Sequence, residues 1–222
     1  MNTRALKIYF AGDLFNAKDL GGNLMLATAI NEVSQGRYQA MLPQDGECET
    51  VQREARRIRN SDFDLLFHCD LILANFDGTD LDSGTVVEFC FAKMLDMPAV
   101  LLRTDFRHAG DQELQDGDPW NLMCSHYPRT EVLAVNAMLR YQQFVTPDKD
   151  PLSQLQNYYL SVARDIVCSL DKVISQPTWL DRSQLLFQYQ QTVKSIGGNL
   201  SSTLTDDILQ KIVEDKIAAQ IY

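Results

Sequence analysis

The sequence predicts an α/β fold, a doubly wound parallel sheet of the flavodoxin-like or Rossmann-like kind with a C-terminal helical extension. Short apolar runs of strand length alternate with longer helical patterns through the first 145 residues. These runs are continuous in hydrophobicity, which is typical of strands buried on both faces of a sheet. A polar segment with two prolines then precedes a stretch of purely helical periodicity.

Each element of the first part follows from its own pattern. Apolar runs bounded by turn-forming residues predict strands at Leu6–Phe10, Tyr38–Leu42, Leu71–Phe76, Ala99–Leu102 and Val132–Val135. Helical patterns lie at about 22–34, 49–60 and 85–95. Repeated strand–helix units imply right-handed crossovers and a parallel sheet, so we expect ligands to bind beyond the carboxyl ends of the strands.

The remainder of the chain is predicted to be helical. We divide the sequence into a main domain at 1–145, a linker at 146–151 and a helical extension at 152–222. Apolar residues recur at steps of three and four from Leu155 to Val173, which marks one face of a helix. Pro177 ends that helix, a second runs to about Ile196, and a third covers 205–221.

Composition and charge exclude several classes of function. The net charge of −10 and the pI near 4.7 would repel a phosphodiester backbone, so polymeric nucleic acid is not an expected partner. The five cysteines are scattered without a metal-binding spacing, which indicates free thiols in a reducing cytosol. No signal-peptide pattern opens the chain, and no apolar run approaches the roughly 18 residues of a membrane span. We expect a cytoplasmic protein without a membrane partner, metal or cofactor.

The segment Asn75–Glu88 concentrates carboxylates where a strand passes into a helix. Three aspartates lie on the predicted loop, and Glu88 lies one turn inside the helix. A structural interpretation is also open, because Thr85 and Glu88 fit a capping box and Asp77 with Gly78 fits a common turn. Charges this close would repel one another without polar partners, and a hydroxyl-rich sugar supplies such partners.

Two further stretches strengthen the functional interpretation. Lys7–Phe15 (KIYFAGDLF) ends the first strand in a glycine turn flanked by aromatics, and Asp118–Met123 (DPWNLM) precedes the last strand. Together with Asp82–Glu88 (DSGTVVE), these motifs resemble, in the same order, those of the nucleoside 2-deoxyribosyltransferase family. The resemblance covers about residues 6 to 145 and leaves the helical extension outside.

The resemblance implies a role for each matching residue. Glu88 would be the nucleophile that attacks C1′ of the deoxyribose, Tyr9 would orient its carboxylate, and Asp82 would bind sugar hydroxyls. Asp62 would contact the base and assist proton exchange, although Asp64 lies two residues away and a small slip in alignment would exchange them. The remaining substrate-binding positions are Asn121, donated by a neighbouring subunit, and Gly12, Phe15 and Asp77.

The implied activity is the transfer of a 2-deoxyribosyl group between nucleobases through a covalent glycosyl-enzyme on Glu88, with retention at C1′. Its partners would be deoxynucleosides, free nucleobases and further copies of this chain in a homo-oligomer with shared sites. One alternative is an N-glycosidase that hydrolyses a (deoxy)nucleoside or its 5′-monophosphate. Another is a non-catalytic, nucleotide-binding flavodoxin-like module.

Several of these residues also have a purely structural interpretation. Tyr9 on a buried strand fits a core aromatic with a satisfied hydroxyl, and Asn121 fits a cap for the short helix that follows it. The charged segment Arg103–Arg107 fits surface ion pairs better than a lid over the base.

Overall fold

The computed structural model describes residues 4–46, 54–107, 117–147 and 149–222. Its centre is a parallel sheet of five strands in the order β2-β1-β3-β4-β5. The strands are β1 (Leu6–Ala11), β2 (Tyr38–Met41), β3 (Leu71–Asn75), β4 (Ala99–Arg103) and β5 (Thr130–Ala134). This is the flavodoxin-like strand order, which confirms the predicted fold class.

The strand order reverses at β1. Tyr9 pairs with Met41 of β2 on one side and with Ile72 of β3 on the other. The connections that leave β1 and β3 therefore run to opposite sides of the sheet at this point. A crevice opens between such loops at the carboxyl edge, where ligands of open parallel sheets bind.

Helices cover both faces of the sheet. They are α1 (Ala17–Val33), α2 (Ala55–His68), α3 (Ser83–Met94), α4 (Ala137–Phe144), α5 (Pro151–Ile174), α6 (Leu185–Ile196) and α7 (Asp206–Ala218). The long helix α5 packs along α1 and against β4 and β5, while α2 and α3 contact β1. In turn, α6 packs against α3 and α7.

Burial explains why the central strands read as continuous apolar runs. Every residue of β4 is buried, as are the first four residues of β3. Strand β5 lies at the edge of the sheet and is only partly buried. Its alternating exposure is the pattern expected of a strand with one protected face.

Two predicted helices have different bounds in the structure. Helix α1 begins at Ala17 rather than near Gly22, because Asn16 accepts hydrogen bonds from the Lys18 and Asp19 amides and caps it. The helix predicted at 49–60 runs from Ala55 to His68, and residues 49–53 lie outside the described ranges. It continues because its second half supplies the buried face, with Phe63, Leu66 and Phe67 at helical spacing.

The second part of the chain is helical, as its periodicity predicts. Helix α5 begins with Pro151, at the position where a missing backbone donor costs nothing. The sequence does not predict helix α4, since its eight residues are too few to show a clear period and none is buried. Because α5 packs along α1 and the sheet, it contributes to the main core. The domain division at residue 146 stays a prediction.

Four of the cysteines, Cys69, Cys90, Cys124 and Cys168, are free thiols, as their scattered spacing predicts, and Cys48 lies outside the described residues. Within the described ranges, no helix combines the length and the apolar character of a membrane span.

Candidate active site

A phenol and a carboxylate meet at the carboxyl edge of the sheet. Tyr9 is fully buried on β1, and its hydroxyl donates a 2.6 Å hydrogen bond to Oε1 of Glu88 on α3. Successive side chains of a strand point to opposite faces, so Tyr9 faces α3 while Phe10 faces α1. The contact joins residues that are 79 positions apart in sequence, which the capping interpretation of Glu88 does not require.

The start of α3 excludes the capping-box interpretation. Asp82 is the N-cap, and its Oδ2 accepts hydrogen bonds from the Thr85 amide at 2.7 Å and the Thr85 hydroxyl at 2.9 Å. Glu88 lies in the second turn, half-buried, with its carboxylate bonded to Tyr9. The capping function that the sequence pattern assigns to Thr85 and Glu88 belongs to Asp82.

Burial changes the ionisation of Glu88. Desolvation raises the pKa of its carboxyl to about 7, and the negative charges of Asp62 and Asp82 act in the same direction. The hydrogen bond from Tyr9 opposes them, because it stabilises the carboxylate form. Desolvation also raises the pKa of Tyr9, and the adjacent Glu88 charge adds to it, so this hydroxyl stays protonated as a donor.

Asp62 belongs to the same group of charges. It lies on α2, and its charge acts on both Glu88 and Tyr9. Desolvation raises the pKa of Asp62 to about 6. Asp64, the other candidate, lies 3.5 Å from the ring of His68 and lines a separate surface cavity beside Asn199. The structure brings Asp62, not Asp64, toward the Tyr9–Glu88 pair.

The loop after β1 borders the same edge. A Cβ at Gly12 would lie 3.1 Å from the Cβ of Asn75 at the end of β3, so a larger residue would push the two strands' loops apart. Phe15 is 77% exposed, which leaves a large ring at the mouth of the loop. Between them, burial raises the pKa of Asp13, and the charges of Asp82 and of Asp19 and Asp77 act in the same direction.

Asp77 and Asn121 bond to their own surroundings. The Asp77 carboxylate accepts hydrogen bonds from the amides of Thr104 and Asp105, at 2.5 and 2.7 Å, and from the Thr104 hydroxyl. Asn121 accepts from the Met123 amide at 3.0 Å and caps the short 3-10 turn Leu122–Cys124. Among the described residues, no hydrogen bond joins either side chain to Glu88. Their substrate-binding roles stay predictions.

An aromatic cluster holds the Asp118–Met123 segment near α3. The Trp120 ring is buried and lies 5.2 Å, centroid to centroid, from Phe76 at the end of β3. Phe76 in turn contacts Phe89, the residue after Glu88, at 5.7 Å. Edge-to-face contacts at these distances are favourable. They fix the segment that carries Asn121 beside the helix that carries Glu88.

Arg103 differs from its predicted role. The sequence favours surface ion pairs for Arg103–Arg107, and only the second half of the segment is of that kind, with Arg107 bonded to Asp105. Arg103 is buried and donates hydrogen bonds to the carbonyls of Phe76 and Gly78 in the loop before α3. One sequence feature could have indicated a buried role for Arg103: it is the charged residue that ends an otherwise apolar strand at the ligand-binding edge.

This geometry suits attack on an electrophilic carbon. A carboxylate with one oxygen held by a phenol has its other oxygen available, and its half-buried position gives substrate access. A second carboxyl group, Asp62, titrates close to neutral pH and can exchange a proton. Two carboxyl groups at one sheet edge, one of them held by a phenol, are an arrangement that glycosidic-bond cleavage can use.

Comparison with known proteins identifies the family of the chain. The family model for nucleoside 2-deoxyribosyltransferase matches residues 8–123. A conserved protein from Enterococcus faecalis V583 is 25% identical, covers 61% of this chain and 94% of its own, and has a TM-score of 0.50. A 2-desoxiribosyltransferase from Leishmania mexicana is 23% identical, with coverages of 57% and 89% and a TM-score of 0.44.

A 2-deoxyribosyltransferase from Bacillus psychrosaccharolyticus is 20% identical, with coverages of 46% and 74% and a TM-score of 0.39. Among curated proteins no significant match is found. The likeness to the Enterococcus protein supports the fold, whereas the family model carries the assignment, because it spans more than half of the chain and includes Tyr9, Glu88 and Asn121. This chain therefore belongs to the nucleoside 2-deoxyribosyltransferase family.

Proposed function

We propose that this protein transfers a 2-deoxyribosyl group from a deoxynucleoside to a free nucleobase, with Glu88 as the nucleophile. The observation that supports this most directly is the 2.6 Å hydrogen bond from the Tyr9 hydroxyl to Glu88, at the carboxyl edge of the sheet. A phenol that stays protonated holds one carboxylate oxygen in place and leaves the other to face the substrate.

In the first half-reaction, the ionised Glu88 carboxylate forms a bond to C1′ while the bond from C1′ to the base nitrogen breaks. The electron pair of that bond leaves with the base, which takes up a proton. Asp62 is the proposed donor, because its pKa of about 6 keeps part of its population protonated near neutral pH. C1′ carries oxocarbenium character during this step, and the adjacent carboxylate stabilises it.

In the second half-reaction, a different base attacks C1′ of the glycosyl-enzyme and Glu88 departs as a carboxylate. Asp62 then takes back a proton from the incoming base. Each step inverts C1′, so two steps give overall retention. A 2-deoxy sugar suits this route, because an electron-withdrawing oxygen next to C1′ is missing and the cation forms more readily.

We place the sugar against Asp82, which keeps one oxygen of its carboxylate free, since both described contacts use Oδ2. Gly12, which packs closely against Asn75, would leave room for the sugar at the end of β1, and Phe15 and Asp77 would flank the sugar. Asn121 would complete the site of a neighbouring copy, so the active form would be a homo-oligomer. The exposed position of Asn121, on a segment anchored by Trp120, supports such a contact.

A hydrolase is the second candidate, since a Glu88 that is only partly buried also admits water to the glycosyl-enzyme. A 5′-monophosphate substrate is disfavoured by the charge around the site. Asp13, Asp77 and Asp82 lie close enough for the charges of the last two to act on the first, and they would repel a phosphate.

Incubation with deoxyinosine and adenine, followed by product chromatography, separates the candidates. Transfer gives deoxyadenosine and hypoxanthine, hydrolysis gives hypoxanthine with free deoxyribose, and a binding module leaves the mixture unchanged. The matched control is Glu88→Gln, which keeps the size of the side chain and removes the nucleophile. Formation of deoxyadenosine by the wild type but not by a folded Glu88→Gln variant is the expected result. Equal activity of the two proteins would refute the assignment.

A further inference from the structure

We propose that Arg103 and Asp77 are positioning residues of the active site, which lock the loop 76–82 to the loop after β4 and so fix the start of α3. The proposal deepens the proposed function, on which it rests. Asp77 of the first loop accepts hydrogen bonds from the second loop, and Arg103, the last residue of β4, donates to carbonyls of both loops. We call this pair of side chains the loop clasp.

Arg103 is the first half of the clasp. Its side chain is only 2% exposed, and its guanidinium donates to the carbonyls of Phe76, Gly78 and Arg107, the last two at 2.8 and 3.2 Å. Its Nε is buried without a partner among the described residues. Burying a guanidinium costs free energy unless hydrogen bonds compensate it. Here the compensation comes from carbonyls of both loops.

Asp77 is the second half. Three donors from Thr104 and Asp105 occupy both of its carboxylate oxygens. The Gly78 amide returns a longer bond of 3.3 Å to the Asp105 carboxylate. Gly78 adopts φ of +103°, a backbone conformation that favours glycine, so the loop takes this path without strain from a side chain. Removing either charged group leaves buried donors or acceptors of the opposite loop without partners.

The clasp reaches Glu88 by two routes. The loop 76–82 ends in Asp82, which caps α3 through Thr85. Independently, the Phe76 ring packs against Phe89, next to Glu88. A shift of the clasped loop would therefore move both the cap and the packing of the helix that carries the nucleophile. Displacement by about 1 Å can reduce turnover by roughly 100-fold when reacting groups must be aligned.

The test compares full-length variants in the deoxyinosine–adenine assay, with kcat and KM measured across pH. Arg103→Met should lower kcat/KM by about 100-fold. Arg103→Lys should recover part of this loss, because an ammonium can still donate to the carbonyls of the loop. The matched control is Arg37→Met, which removes hydrogen bonds to Asp171 at the amino end of β2, on the opposite edge of the sheet, and should keep wild-type kinetics.

The pH profile separates positioning from a loss of stability. Glu88 faces the Tyr9 hydroxyl from β1, Asp62 from α2 and Asp82 at its own helix start. Burial and the Asp82 charge both raise its pKa, so loosening the loop should move the acid limb of kcat/KM to lower pH. A folded Arg103→Met protein with unchanged kcat/KM and an unmoved acid limb would overturn the proposal.

Thr104→Val provides a gentler variant in case Arg103→Met does not fold. It removes one donor to Asp77 and leaves the carboxylate in place. Positioning predicts a fall in kcat, whereas a change confined to KM would assign Asp77 to substrate binding alone and count against the clasp. Hydrogen exchange at the Thr85 amide, which bonds to Asp82, needs no turnover. Faster exchange in Thr104→Val than in Arg37→Met would support the clasp even if the wild type proved inactive, and equal exchange would refute it.

Discussion

At the scale of single residues, the Tyr9 hydroxyl sets the pH at which Glu88 becomes a nucleophile. Its hydrogen bond lowers the pKa of Glu88, in opposition to burial. Tyr9→Phe should therefore raise that pKa and move the acid limb of kcat/KM to higher pH, because Glu88 must be ionised to attack. The loss of rate should be larger at about pH 6.5 than at about pH 8.5, as measured by initial rates of base exchange across pH.

The control for this prediction is Tyr38→Phe. Tyr38 is also a buried tyrosine on the sheet, and its hydroxyl bonds to Asp171 of α5 rather than to a site residue. Its removal should leave the acid limb unchanged. An unchanged limb in Tyr9→Phe, or an equal shift in both variants, would contradict the assigned role of Tyr9.

The same carboxyl group of Glu88 should destabilise the fold at neutral and alkaline pH. The pKa of Glu88 is about 7 in the folded chain against an ordinary value of 4.5, so the folded state holds its proton more tightly. Stability from this group therefore falls as pH rises from 4.5 to about 7 and stays low above it. Glu88→Gln should be more stable than wild type at about pH 8, by up to about 3 kcal/mol, and the difference should vanish near about pH 4. Urea unfolding at the two pH values measures this difference in the free energy of unfolding. A difference that does not change with pH would contradict the prediction.

The central residues of the site are predictable from the sequence, whereas some of their contacts are not. Glu88, Tyr9 and Asp82 can be predicted because each lies in a motif at a strand end or a helix start. The role of Asp82 as the N-cap of α3 cannot be predicted, because Thr85 and Glu88 form an equally good capping pattern. The contacts of Arg103 cannot be predicted, because its partners are backbone carbonyls of a loop about 25 positions earlier in the sequence. No sequence pattern indicates contacts of this kind.

At the scale of the elements, the start of α3 combines two functions in Asp82. Asp82→Ser should keep the cap and hence the stability, whereas Asp82→Ala should lose about 1 kcal/mol. Both should lose transfer activity if the carboxylate binds the sugar. Asp150, which caps α5 through the Ser153 amide, is the matched control: Ser and Ala there should change stability in the same way without loss of activity. Full activity in Asp82→Ser would restrict Asp82 to capping.

The bounds of the elements show where local patterns are sufficient. The buried strands agree with their predicted ends to within two residues, because a short continuous apolar run between turn-forming residues is typical of a buried strand. Helix α2 extends beyond its predicted end because three apolar residues of its last turns are buried in the core. This packing stabilises the end of the helix, although the residues before it are mostly polar. Helix α4 has no buried residue and therefore leaves no periodic signal.

In the assembled protein, we expect an oligomer in which each copy contributes its Asn121 to the active site of a neighbouring copy. A Glu88→Ala subunit keeps Asn121, and an Asn121→Ala subunit keeps Glu88, so co-expression should restore part of the activity in hybrids. Size-exclusion chromatography with light scattering gives the oligomeric state, and two affinity tags confirm that hybrids form. Verified hybrids without recovered activity, or a fully active monomer, would leave Asn121 with its capping contact to Met123.

If Glu88 carries the sugar between two bases, a covalent deoxyribosyl adduct must form on it, and mass spectrometry can detect that adduct. Wild-type protein is incubated with a slowly reacting deoxynucleoside and no acceptor base, quenched in acid and digested for mass spectrometry. We expect a deoxyribosyl mass on the peptide that contains Glu88, loss of that mass on addition of adenine, and no such mass in Glu88→Gln. Base exchange that proceeds without any adduct, with intersecting rather than parallel kinetic lines, would contradict it.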